Sequence, residues 1–195
     1  MANEISTYKT FLMLGTETTT YKASSDTSVV ANKTYYTRTG TSPNYVYTPV
    51  AEPTGNPSTS SYYEVDETTI TYAKLIDIKE FPDLGGAPEM LEITTLSDDM
   101  QRYIPGIQSL DALEFTANYT VADFTALKAI ERVEKHFAVW FGGSGSGSSV
   151  TPTGSEGKFT FDGQLSVYPV GGGVNEVVDM NISIAPSTVI DFSAS

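Results

Sequence analysis

Leu113-Glu-Phe-Thr-Ala-Asn-Tyr-Thr-Val121 sets apolar side chains at 113, 115, 117, 119 and 121 against polar ones at 114, 116, 118 and 120. A period of two over nine residues is a strand with one face buried and one face wet. The next stretch changes the period. In Ala122-Asp-Phe-Thr-Ala-Leu-Lys-Ala-Ile-Glu-Arg-Val-Glu-Lys135, helix formers dominate, and Phe124, Leu127, Ile130 and Val133 recur every third residue as an apolar stripe. The spacing predicts an amphipathic helix over about 122–136. Asp123 is placed to accept at its N-cap, and Lys135 and His136 to complement the C-terminal end of its dipole. On that reading His136 is a helix-end residue rather than a catalyst.

Outward from this pair, the two-residue period returns. At 158–168 Phe159, Phe161, Leu165 and Val167 oppose Lys158, Thr160, Asp162, Gln164 and Ser166, and Gly163 marks a bulge or bend. At 176–184 Val178, Met180, Ile182 and Ile184 oppose Val177, Asp179, Asn181 and Ser183 until Pro186 ends the run. Shorter strands are expected at 8–14, 74–81, 90–96, 137–141 and 188–192. The fold class is therefore mainly β, with one flanking helix.

At 195 residues the chain is long enough for one core without staples, and it has no cysteine to make any. A single histidine leaves no multi-His metal site and no Ser-His-Asp chemistry except through that residue. No catalytic, cofactor or metal residue is assigned. With 11 Lys and Arg against 24 Asp and Glu, the net charge is −13 and the pI near 4.3, which disfavours tight binding of nucleic acid. The longest apolar run, Phe137-Ala-Val-Trp-Phe141, is far short of a membrane span, and the first residues do not read as a signal peptide. A soluble protein of a reducing compartment is expected.

Two stretches stand apart. Gly142-Gly-Ser-Gly-Ser-Gly-Ser-Ser149, with 150–155, reads as a long hairpin loop; no Gly-Lys-Ser/Thr ending or following helix makes it a phosphate loop. Residues 22–72 hold seven of the twelve tyrosines and are bracketed by near-repeats, Glu17-Thr-Thr-Thr-Tyr-Lys22 and Glu67-Thr-Thr-Ile-Thr-Tyr-Ala-Lys74. They read as a small β-module inserted into a hairpin of a domain made of 1–21 plus 73–195. Lys33–Arg38 and Tyr45–Thr48 flank a turn, and Tyr62–Val65 adds a third strand. The tyrosines are either the module's own core or a carbohydrate- or protein-binding surface.

The block Phe81-Pro-Asp-Leu-Gly-Gly-Ala-Pro-Glu-Met-Leu-Glu-Ile-Thr-Thr-Leu-Ser-Asp-Asp-Met-Gln-Arg-Tyr-Ile-Pro-Gly-Ile-Gln108, followed by Leu110-Asp-Ala-Leu-Glu-Phe-Thr-Ala-Asn-Tyr119, resembles the major tail tube proteins of long-tailed, non-contractile bacteriophages. Glu92-Ile-Thr-Thr-Leu-Ser-Asp98 and Ile104-Pro-Gly-Ile107 are its most specific parts, and Tyr8-Lys-Thr-Phe-Leu-Met-Leu-Gly15 fits the opening strand. The resemblance covers about 1–21 and 73–195. It implies a tail-tube-type β-sandwich with one flanking helix, whose subunits form hexameric rings that stack into a virion tail tube assembled in the host bacterial cytoplasm. The implied partners are other copies of the chain, a tape measure protein, and tail terminator and distal tail proteins, while DNA passes through without specific binding.

In that family a long loop reaches to the neighbouring ring, and the matching segment here is about Pro82 to Pro105. Its Leu91, Ile93, Leu96, Met100, Tyr103 and Ile104 are the expected ring-interface residues; a loop covering its own subunit's core is the alternative. Glu114, Asp162 and Asp179, on the polar faces of central strands, are candidates for an acidic lumen lining that repels phosphates. Two other classes stay open. One is a monomeric phage decoration or adhesin-like β-sandwich binding through the tyrosines. The other is a carbohydrate hydrolase using Asp98 with Asp99 or Glu64 with Asp66.

Overall fold

A computed structural model describes residues 9–26, 28–50, 57–58, 62–106, 111–145, 150–174 and 176–194. It divides the chain into two compact units, a larger one of Met1–Thr16 with Tyr72–Ser195 and a smaller one of Glu17–Thr71. The strands are β1 (Thr10–Ala23), β2 (Tyr35–Thr41), β3 (Asn44–Val50), β4 (Tyr62–Ile76), β5 (Ile78–Glu80), β6 (Met90–Glu92), β7 (Tyr103–Pro105), β8 (Leu113–Asn118), β9 (Glu134–Ser144), β10 (Thr151–Pro169), β11 (Asp179–Pro186) and β12 (Asp191–Ser193). The single helix among the described residues, α1, is Val121–Ala129. The protein is thus mainly β and antiparallel.

In the larger unit hydrogen bonding orders the strands β1-β9-β10-β11-β8-β5, with β12 also on β10. Here β10 is 19 residues long and pairs β9, β11 and β12, so one ladder series runs through these strands. The alternation read at 113–121 holds in space only over Leu113–Asn118: Leu113, Phe115 and Ala117 are buried and Glu114 and Asn118 exposed, while Val121 starts the helix in solvent. The same face buries Leu12, Phe137, Val139, Phe161, Leu165, Val167, Met180, Ile182 and Ile184, and Leu127 of α1 closes over it. Each such side chain contributes about 1.5–3 kcal/mol by leaving water. The opposite face is not simply wet. Phe11, Met13 and Ala138 form a second buried cluster there with Tyr72, Trp140 and Val150 packed against it.

The helix is shorter than its stripe predicts. Thr120, not Asp123, is the N-cap: its Oγ1 accepts from Asp123 N at 3.1 Å and donates to Asp123 Oδ2 at 2.6 Å. The helix stops at Ala129, Arg132 takes a left-handed φ of 60°, and Val133 turns out to solvent. Lys135 and His136 belong to β9, where Lys135 pairs Gly163 and His136 pairs both Gly15 and Asp162. Two ladders made by β9 outweigh the few tenths of a kcal/mol per residue at stake in helix propensity. The helix-end reading of His136 is therefore corrected to a strand position.

Strand limits move for similar reasons. The loop after Gly142 is shorter than expected, because Thr151 pairs Ser144 and Pro152 pairs Gly143, and the register shift falls between Pro152 and Gly157. Gly163 is regularly paired with Pro186 and is no bulge. It is needed for close approach, since a Cβ there would lie 2.6 Å from the Ala185 carbonyl oxygen. The strand expected at 90–96 is only Met90–Glu92, and that at 74–81 is broken at Asp77 between β4 and β5. Tyr8 of the opening strand and Ile107 of the Ile-Pro-Gly-Ile motif lie outside the described residues.

The smaller unit orders its strands β3-β2-β4-β1, and the near-repeats are its two long arms. Thr20 Oγ1 donates to the Glu67 carbonyl at 3.2 Å, and Thr19 and Thr68 hydroxyls lie 3.4 Å apart. Tyr72 falls in the larger unit, where its ring lies 5.9 Å from Trp140. Removing 21–66 and joining Thr20 to Glu67 through an Asn-Gly turn is accordingly expected to leave the larger unit folded, because the arms are already paired at that level. Retained Trp140 fluorescence and cooperative melting check this; loss of both would show that the larger core depends on the removed segment.

Inside the smaller unit Tyr35 is fully buried and its hydroxyl donates to Asp26 Oδ2 at 2.6 Å. Lys33 Nζ reaches the same oxygen at 2.7 Å and also pairs Glu64. Hydrogen bonds from Lys33 and then Tyr35 hold the Asp26 carboxyl below its ordinary value, while those to Asp26 and Glu64 raise Lys33. A depressed carboxyl stabilises above its unfolded value of about 4 and loses that contribution as pH falls through its folded value; a raised ammonium does so below about 10 and loses it at more alkaline pH. The near-UV tyrosine signal should thus decline as pH is lowered from about 4, and Asp26→Asn should weaken the fold at pH 7 and remove that acid step. A signal unchanged to pH 2 would show that the network contributes nothing.

Candidate interaction surface

The segment 82–105 lies mostly outside the main sheet and makes its own hairpin. β6 and β7 pair Met90 with Pro105, Leu91 with Ile104 and Glu92 with Tyr103. Gly106 N donates to the Glu89 carbonyl at 2.6 Å and Ile93 N to that of Arg102 at 2.9 Å, which extends the ladder at both ends. The tip is tied by Asp98. Its Oδ2 accepts from Thr95 N at 2.8 Å and Thr95 Oγ1 at 3.0 Å, and Arg102 lies 3.6 Å from Oδ1. The Thr95 backbone N–H, then its hydroxyl, hold the Asp98 carboxyl below the usual range, with Arg102 adding to the effect. The turn chemistry is local, a carboxylate reaching back three residues to a backbone N–H and the same residue's hydroxyl.

The apolar side chains of this hairpin do not cover the subunit's core. Met90, Leu91, Ile93, Leu96, Met100, Tyr103 and Ile104 are all exposed, Met100 at 74% and Leu96 completely. A solvated loop has no use for seven large apolar side chains on an ordered hairpin, and patches of this kind mark association surfaces. Burying even half of their surface would supply roughly 5–10 kcal/mol before the cost of association.

Glu114, Asp162 and Asp179 share the sheet face opposite the main core, but they are differently engaged. Lys79 Nζ sits 2.7 Å from Asp179 Oδ2, and His136 Nδ1 is 2.5 Å from Asp162 Oδ1. Glu114 meets only an amide, Asn181 Nδ2 at 3.4 Å, among the described residues. Phe11, Met13 and Trp140 occupy part of the same face, and the Lys79 ammonium offsets the Asp179 charge, so its field is weaker than three free carboxylates would make it. The paired carboxylates considered for hydrolysis are also separated by role. Asp98 is committed to the hairpin tip, while Lys22 lies 3.7 Å from Glu64 and 3.3 Å from Asp66. Among the described residues no group of three or more His, Asp and Glu is arranged to hold a metal ion, and no helix is long and apolar enough to cross a membrane.

An apolar groove escaped the sequence reading. Phe81, Pro82, Leu84, Phe141, Phe159 and Phe192, with Asp83 and Glu156, line a space of about 460 Å³. Successive ring centroids from Phe81 to Phe141, Phe159 and Phe192 are 5.6, 5.6 and 5.1 Å apart. The signal was present in the odd-numbered aromatics of 137–141 and 158–168, which share a face, but their extension beyond the reach of α1 depends on pairing. Compared with protein-family models and with curated proteins, the chain matches none.

Proposed function

We propose that the chain is a structural virion protein, of the tail-tube type, that polymerises as stacked hexameric rings into the tail tube of a long-tailed, non-contractile bacteriophage. The observation that carries the reading is the β6–β7 hairpin, an ordered two-stranded projection with apolar side chains in solvent. A subunit that must bind its own kind needs such a surface. Heterologous, head-to-tail contacts of this kind generate rings when the rotation closes and open stacks when it does not. The resemblance of 81–119 supports the same assignment, and the net charge of −13 suits a conduit along which phosphate slides without adhering.

In this reading Glu114, unpaired with any cation among the described residues, contributes most directly to an acidic lining, Asp179 contributes through an ion pair with Lys79 that neutralises part of its charge, and Asp162 contributes while hydrogen-bonded to His136. On the same reading the chain acts by assembly rather than by catalysis. Its tail partners would be a tape measure protein inside the tube and terminator and distal tail proteins at its ends. Negative-stain electron microscopy of the concentrated protein is the test: rings or tubes are expected, and featureless monomers would reject the reading in favour of a monomeric surface-binding module.

A further inference from the structure

Alternation in the smaller unit sorts its tyrosines onto two faces. Tyr35 points into the network with Asp26 and Lys33, whereas Tyr36 and Arg38 point the other way, and the register places Tyr47 opposite Arg38 and Tyr45 opposite Gly40. Tyr63, opposite Tyr36, joins the same face. Tyr21 stacks on Tyr47 with centroids 4.0 Å apart and meets Tyr36 edge-on at 5.0 Å. Arg38 lies across these rings, its guanidinium carbon 4.2 Å from the Tyr45 centroid and 4.6 Å from that of Tyr63.

The charge arrangement gives that face a chemical preference. Lys22 and Lys33 are paired with Glu64, Asp66 and Asp26. Arg38 makes no ion pair or side-chain hydrogen bond among the described residues, although it is exposed on an acidic chain. A guanidinium held within cation–π reach of two aromatic rings still has its N–H donors to offer a ligand, since the rings accept none of them in the plane of the group. The rim fits a planar two-oxygen acceptor, which a carboxylate supplies as a bidentate partner. Tyr45 beside it is 37% exposed and offers a flat apolar ring with a hydroxyl at its edge. The carbon face of a sugar ring packs on such a surface while its hydroxyls meet the phenolic oxygen.

We infer that the Tyr45–Arg38–Tyr63 face of the smaller unit binds a glycan bearing spaced uronate carboxylates, the carboxylate on Arg38 and the adjoining sugar on Tyr45. A nucleic acid strand also stacks on aromatics, but it carries a phosphate on every nucleotide and meets the repulsion of a chain of charge −13. A glycan with one carboxylate per two sugars meets less. The inference concerns the smaller unit alone and stands apart from tube formation.

Retention of the full-length protein in gels containing hyaluronate is the direct measurement, with uncharged dextran and single-stranded oligothymidine as comparisons. Binding to hyaluronate alone is expected. Arg38→Gln and Tyr45→Ser should each weaken retention at least tenfold, and Arg38→Lys should weaken it too, because an ammonium keeps the charge but not the stacked fork. Thr39→Gln, on the other face of the same strand, should leave it unchanged. Should Arg38→Gln lose the near-UV tyrosine spectrum, Arg38→Lys and Tyr45→Ser decide the matter. Parental binding by those variants, no retention by hyaluronate, or retention by oligothymidine instead would overturn the inference, and none of these results bears on whether tubes form.

Discussion

Leu91→Asp combined with Ile93→Asp is expected to give a folded protein that no longer polymerises. The two side chains are 50% and 39% exposed in the subunit, so introducing carboxylates there disturbs no buried packing and should change stability by about 0.5 kcal/mol or less each. At a subunit interface the same groups would have to be dehydrated without a counter-ion, at several kcal/mol apiece. Glu89, Glu92, Asp98 and Asp99 already crowd this hairpin with negative charge, and Arg102 is its only cation, so compensation from within is small. In the proposed hexameric assembly six copies per ring would multiply the penalty. Sedimentation and electron microscopy, with thermal melting to show the fold intact, read the result. A variant that polymerises as the parent does would place the interface elsewhere.

Phe137→Ala should produce the largest loss of stability. Phe137 is fully buried on β9, pairs Leu14 on one side and Phe161 on the other, and stacks near the Phe161 ring with centroids 6.1 Å apart. Both flanking strands fix the backbone, so the site cannot collapse around the lost ring and a cavity remains. Truncations of this kind cost about 3–5 kcal/mol, a large part of the 5–15 kcal/mol that holds a typical domain together. Urea unfolding followed through Trp140 fluorescence would measure it. A cost below about 1 kcal/mol would show that this part of the core is loosely packed or unfolds separately.

The two experiments address different levels. Phe137 reports on how the chain folds, and Leu91 and Ile93 report on what the folded surface is for. Their exposed hairpin is also the place where local residues settle the structure most completely, since Asp98 ties the tip to Thr95 and Arg102 within a few residues of itself.

By itself the sequence determined the elements whose period is unbroken. The alternations name the buried residues where β8, β10 and β11 form, Leu113 to Ala117, Phe161 to Val167 and Met180 to Ile184, because a strand in the interior of a sheet has no other way to place its apolar side chains. Val121 and Val178, read into the same runs, lie beyond the strands and are exposed. The apolar content of 90–104 likewise marked residues that the fold leaves in solvent. Tertiary structure alone decided where those elements stop. The stripe running to Val133 and the basic residues after it suit a helix end, yet Glu134 and Lys135 pair with β10 and His136 with both β10 and β1, and hydrogen bonds to residues far along the chain leave no local trace. The same holds for Gly163, whose reason is the Ala185 carbonyl, for the second apolar cluster of Phe11, Met13 and Ala138, and for the Phe81–Phe192 groove. Arg38 is the sharpest case: its sequence neighbours show a cation among tyrosines, but only the pairing of β2 with β3 and β4 brings it to two rings and leaves it without an ion pair among the described residues.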